Sequence, residues 1–149
     1  IFTYIGISLI DKLGRRSLMY IGSIGYIISL TLISLSFILE WGGVVLPIFL
    51  FLFIASHAIG QGAIIWVYIS EIFPNHIRSY GQSFGISTHW ILAAIIPSLI
   101  PFLFGSIGPG IVFGFFAFMM VLQLMFTHFI MPETKGVSLE DLSKKLIRN

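Results

Sequence analysis

Residues 17–39 read SLMYIGSIGYIISLTLISLSFIL, twenty-three positions without one Asp, Glu, Lys or Arg, entered through Asp11-Lys-Leu-Gly-Arg-Arg16 and closed by Glu40. About 20 apolar residues in a helix, at about 1.5 Å each, cross the hydrocarbon core of a bilayer. A charge at the middle of such a helix costs about 2.5–3.5 kcal/mol on insertion scales. A run of this length that excludes every charge therefore reads as a transmembrane helix. The same pattern recurs at 44–69, 81–104 and 111–131. Ile1–Ile10 is apolar but reaches only about half the core at helical rise, so it reads as the truncated end of a longer span. The expectation is an all-α integral membrane bundle of four full transmembrane helices plus one truncated, occupying 1–131, with a tail over 132–149.

Composition agrees. Only 9% of the 149 residues are charged, against roughly a quarter in soluble domains. The charges fall in three clusters, 11–16, 71–78 and 133–148, with Glu40 alone between them. Under the five-span reading every Lys and Arg lies on one side of the membrane, and the positive-inside rule makes that side cytoplasmic. The loops at 11–16 and 70–80 and the tail are then cytoplasmic, and the plasma membrane is the expected location. The basic excess sits in short loops beside apolar spans, where it sets topology, so it is no nucleic-acid signal. There is no cysteine, which removes disulfides and thiolate metal sites. The start lacks the Met and basic flank of a signal peptide.

Enzyme chemistry finds no support in this pattern. No acid lies within a span to orient a histidine, so a nucleophilic triad lacks its third member. No carboxylate or thiolate lies at membrane depth to hold a metal. His57, His89 and His128 sit one to a span at depths that do not match, which disfavours haem ligation. No cofactor is expected.

Polar residues at membrane depth carry more information. They face a bundle interior or a wet cavity, or they bond neighbouring helices for about 0.6 kcal/mol a contact. His57, Gln61, Ile64 and Tyr68 recur at helical spacing on one span. Gln82, His89 and Ala93 do so on the next, with Thr88 and Trp90 adjoining. Two such stripes on consecutive helices favour a shared cavity over simple packing. Gln61, Trp66, His89 and Trp90, with His57, supply amide, imidazole and aromatic groups, types that bind a small polar ligand with one apolar face. Gly22, Gly25, Gly60 and Gly62 allow close helix approach, and Pro97 and Pro101 suggest a kinked or broken outer half in the span at 81–104. His128, with Gln123 and Thr127, reads as packing, and Trp41 as an interfacial anchor.

Three motifs appear in order: Asp11-Lys-Leu-Gly-Arg-Arg16, Trp66-Val-Tyr-Ile-Ser-Glu71-Ile-Phe-Pro-Asn-His-Ile-Arg78, and Pro132-Glu-Thr-Lys-Gly136-Val-Ser-Leu-Glu140. Together they resemble the sugar porter family of the major facilitator superfamily, from the end of helix eight through helix twelve. The resemblance implies a major-facilitator-type bundle, here a partial C-terminal half whose N-terminal half is missing. It implies alternating-access transport of a monosaccharide, with proton symport as the expected coupling. A non-transporting sugar sensor, or a carrier of another small polar solute, is the alternative. Trp66 matches the tryptophan that closes the sugar site in relatives, and His89 stands where they commonly carry Asn or Gln. Asp11, Arg15, Arg16, Glu71 and Arg78 match a cytoplasmic gate of ion pairs. Relatives such as animal glucose carriers show Gly-Pro-Gly-Pro where this chain has Gly60-Gln-Gly-Ala63, so flexing of that helix falls to Gly60 and Gly62. The expected partners are a sugar, a proton, the lipid bilayer and the missing half.

Overall fold

The computed structural model describes residues 2–136, so most of the tail, with Val137 to Glu140 of the last motif, lies outside the described residues. Six helices follow one another: α1 (Phe2–Leu13), α2 (Arg15–Ile38), α3 (Val45–Ile59), α4 (Gln61–Ile72), α5 (Arg78–Ile107) and α6 (Pro109–Phe129). Four segments are long and apolar enough to cross a membrane: α2, the consecutive pair Val45–Ile72, α5 and α6. Phe51, Phe102 and Phe129 are each more than 70% exposed, a surface that hydrocarbon accepts and water does not.

α2 is the hub. It packs most extensively on α6 and next on α3, while among the described elements α5 meets α4 and α6 alone. Small residues explain why α2 holds this place. Ser23, Ser29, Ser34 and Ser36 are all buried along it, with Gly22. Where lipid is as apolar as leucine, helices associate by close van der Waals packing and by hydrogen bonds between them. Against α6 the Ser34 hydroxyl donates to the Gly110 carbonyl at 2.6 Å. Against the α3–α4 junction, a Cβ built on Gly22 would lie 2.9 Å from the Gly60 Cα, so the two backbones touch and neither glycine has room for a side chain.

Two apolar clusters result. One lies at the charged end, with Ile10, Leu18, Met19, Ile64, Tyr68 and Met131. The other lies further along α2, with Tyr26, Leu30, Ile33 and Ala117 backed by Phe53, Phe113 and Phe116.

Three expectations need correction. The basic stretch at 11–16 is not a loop: α1 continues to Leu13 and α2 starts at Arg15, so the connection is Gly14 alone, at φ +91°. The left-handed region favours glycine there. The span expected at 44–69 is two helices, because Gly60 leaves the helical region at φ −94°, ψ −109°. The span at 81–104 is not broken at its prolines, since α5 runs from Arg78 to Ile107 with Pro97 and Pro101 inside it.

Candidate functional site

Two polar regions stand out, one at the charged end and one deeper in the bundle.

At the charged end Glu71 closes α4, although a carboxylate in the last turn of a helix opposes the helix dipole. Two groups from other elements offset that. Arg15 holds Glu71 with a bidentate pair, Nη2 to Oε1 at 2.8 Å and Nε to Oε2 at 3.1 Å, the strong geometry for guanidinium and carboxylate. The Thr134 hydroxyl donates to Glu71 Oε2 at 2.5 Å. Arg15 also reaches Asp11 at 3.1 Å, but the Asp11 side chain is 88% exposed, and exposed pairs contribute only about 0–1 kcal/mol.

Glu133 does a separate task. Its two carboxylate oxygens accept the backbone N–H groups of Arg15 and Arg16, at 3.0 and 3.1 Å, and Oε1 also accepts those of Thr134 and Lys135. An anion at a helix N-terminus meets orphan donors and the positive end of the dipole at once. Gly14 makes room for it, since a Cβ there would lie 2.9 Å from the Glu133 Cδ. Lys135 closes the region from outside, its Nζ donating to the Lys12 carbonyl at 2.6 Å. The segment after α6 thus ties together the ends of α1, α2 and α4.

Among the described residues the other expected gate arginines do not pair with acids. Arg16 turns to the C-terminus of α6, donating to the carbonyls of Thr127, at 3.1 Å, and His128, where a cation suits the dipole. Its guanidinium also lies over the Tyr20 ring, whose hydroxyl bonds His128 Nδ1 at 2.9 Å. Arg78 Nε donates to the Phe73 carbonyl at 3.2 Å, and its buried Nη2 has no partner among the described residues. The sequence named Arg15, Asp11 and Glu71 for this region but missed Glu133 and Thr134. The Pro-Glu-Thr-Lys-Gly motif was the available signal.

Deeper in the bundle the stripe His57, Gln61, Ile64 and Tyr68 turns towards α2. His57 Nδ1 bonds the Tyr26 hydroxyl, and Gln61 Nε2 donates to Ser23 Oγ at 3.1 Å. Ile64 and Tyr68 are buried in the cluster at the charged end. This face therefore serves helix packing first, against the expectation of a cavity shared with the next span. Gln61 alone has a second role: with Gln123, Tyr26, Phe53, Phe113 and Phe116 it lines a cavity of about 370 Å³ between α2, α3 and α6.

The aromatic candidates do gather. Trp66 of α4 and His89 of α5 stand edge to face with ring centroids 5.0 Å apart, and the Trp90 ring lies 5.5 Å from that of His89. Trp66 is 38% exposed and Trp90 63% exposed, so both keep ring surface free for another molecule. This geometry combines flat apolar faces with an imidazole that can donate or accept a hydrogen bond. Among the described residues no three His, Asp or Glu side chains converge as a metal site would require.

The family model described as "Sugar (and other) transporter" matches residues 1–146. The chain belongs to that family. The arabinose-proton symporter of Bacillus subtilis is 39% identical over 151 residues, covering 99% of this chain and 32% of that protein. Myo-inositol transporter 1 of Saccharomyces cerevisiae is 31% identical, covering 95% of this chain and 27% of that protein. Among solved structures, the xylose transporter XylE from E. coli in an inward-open conformation superposes with a TM-score of 0.91 at 30% identity, over 97% of this chain and 33% of that one. The chain thus spans about a third of the length of these sugar-transporter relatives. Its helices are those of a multi-pass integral membrane protein with the major-facilitator fold.

Proposed function

We propose that this chain forms the closing helices of an alternating-access transporter that carries a monosaccharide with a proton. The observation that carries the reading is the Trp66–His89–Trp90 cluster, set in a chain that is similar along 99% of its length to an arabinose-proton symporter. A pyranose or furanose offers an apolar face to a tryptophan and hydroxyls to an imidazole or amide. In folds of this kind the site lies near the bilayer midplane between rocking halves. Trp66, His89 and Trp90 supply this chain's share of the sugar contacts, while Gln61 faces the separate cavity against α2. No side chain in this account performs a chemical step on the sugar, so the protein acts as a carrier and not as an enzyme.

The charged end is the inner latch in this reading. The Arg15–Glu71 pair joins α2 to α4, and Thr134 and Glu133 join the segment after α6 to both. The clustering of Lys and Arg at that end supports a cytoplasmic orientation, and the plasma membrane is the location in the same proposal. Opening inward strains or breaks these bonds, and α3 and α4 flex about Gly60 and Gly62.

Counterflow in proteoliposomes holding the full-length protein tests the proposal, with labelled arabinose, xylose, glucose and myo-inositol as the panel. Exchange of a monosaccharide that falls at least about tenfold in Trp66→Ala is the expected result, the loss of roughly 1.4 kcal/mol of contact. Exchange of myo-inositol alone would move the assignment to a polyol carrier. No exchange of any of the four by folded protein would count against transport and favour a sensor.

A further inference from the structure

The break between α3 and α4 is spanned by side chains and not by a backbone ladder. Gly60 N–H bonds back to Ser56 at 3.0 Å, and Ala63 and Ile64 N–H bond the Gly60 carbonyl at 3.3 and 3.2 Å. Among the described residues no backbone N–H of α4 reaches a carbonyl of α3. A helix interrupted in this way has little of its own to fix the angle between its halves.

Two neighbouring side chains of α2 stand across that gap. Ser23 and Tyr26, three residues apart, lie on one face of the helix. Ser23 holds Gln61, the first residue of α4, and Tyr26 holds His57, in the last turn of α3. The His57 ring also reaches over the break. A Cβ built on Gly62 would lie 2.8 Å from His57 Nε2 and 2.9 Å from the His57 carbonyl oxygen. The imidazole therefore touches α2 through one nitrogen and the first turn of α4 through the other.

We propose that His57, held by Tyr26, is a positioning residue that sets the angle between α3 and α4, with the Ser23–Gln61 bond steadying the second half-helix. Gly62 is then glycine because the ring occupies the place of its side chain. The consequence for transport rests on the alternating-access reading above, because α4 carries Trp66 and any change in the angle moves that ring. The brace itself rests only on the contacts around Gly60.

The test is pulsed electron–electron distance measurement on the reconstituted full-length protein in a cysteine-free background. Spin labels go on Val44→Cys and Asn75→Cys, at the two exposed ends of the broken helix. Tyr26→Phe and His57→Ala should each broaden the distance distribution. Tyr26→Phe keeps the ring packed against Phe53, whose centroid lies 5.0 Å away, so it guards against simple misfolding. Gly62→Ala should displace the mean, and adding His57→Ala should reduce that displacement without abolishing it, because the new methyl still meets the His57 carbonyl oxygen. Unchanged distributions in both Tyr26→Phe and His57→Ala, or a Gly62→Ala shift indifferent to His57, would overturn the brace. This readout needs no substrate, so its failure is separate from a failure of the sugar assignment. Where counterflow is measurable, Tyr26→Phe should lower the maximal rate about fivefold, roughly the worth of one hydrogen bond, with KM nearly unchanged. A raised KM at constant rate would make His57 a sugar contact instead and overturn the positioning role.

Discussion

α2 and α5 are almost interchangeable by hydropathy, at 2.0 and 2.1 over their most apolar windows, yet 44% of that window is buried in α2 and none in α5. The difference lies in the small polar residues. α2 carries Gly22, Ser23, Ser29, Ser34 and Ser36 on its packed faces, each small enough to admit a neighbouring backbone or able to bond one. Some serines in both helices bond back to carbonyls of their own helix, Ser29 and Ser36 in α2 and Ser98 and Ser106 in α5. Among the described residues, of the two only α2 has serines bonded across, Ser34 to Gly110 and Ser23 to Gln61. Hydropathy marks both as membrane helices, and within this third of the transporter the close backbone approach and cross-helix bonds of α2 set its burial apart.

That comparison can be broken most directly in the second apolar cluster, where Ile33 is fully buried. Ile33→Ala should destabilise the full-length protein by about 2–5 kcal/mol, as large-to-small core changes do, measured by thermal unfolding in detergent. Gly22→Ala comes next. Its new methyl meets the Gly60 backbone and the Gln61 amide, and such overpacking costs about 1–3 kcal/mol. A neutral result there would mean that α2 and the α3–α4 junction are not in backbone contact.

Glu133→Ala should cost roughly 1 kcal/mol, the usual worth of a helix N-cap. It should also loosen the first turn of α2, seen as faster hydrogen exchange at Arg15 and Arg16. The smallest effect belongs to α5: Phe102, 72% exposed, should tolerate Leu within about 0.5 kcal/mol. A cost comparable to that of Ile33→Ala would show that α5 packs as heavily as α2 in the full protein, and the contrast between the two helices would fail.

Much of this was legible in the amino-acid sequence. Runs of twenty or more residues without charge marked the helices, and the one-sided distribution of Lys and Arg ordered them. Arg15 and Glu71 were named among five gate residues, with Asp11, Arg16 and Arg78, through the resemblance of their motifs, and the pair itself is what the structure adds. What stayed hidden has physical reasons. Glu133 caps a helix 118 positions away in the chain, and no local pattern reports a contact of that range. Periodicity showed that His57 and Gln61 share a face but could not say which helix the face meets, and it meets α2. Gly60 breaks its helix without a proline, at the point where its backbone meets that of Gly22. Conversely Pro97 and Pro101 lie within a continuous helix, which membrane helices accommodate through neighbouring groups and local adjustment.

Uptake of labelled arabinose and xylose into proteoliposomes of the full-length protein, with and without an inward proton gradient, tests the central claim most directly. The account predicts accumulation of one of these sugars above its outside concentration when the gradient is imposed, and only equilibration without it. It also predicts loss of both in Trp66→Ala. Entry no faster than into protein-free liposomes under either condition, from protein shown to be folded, would contradict it.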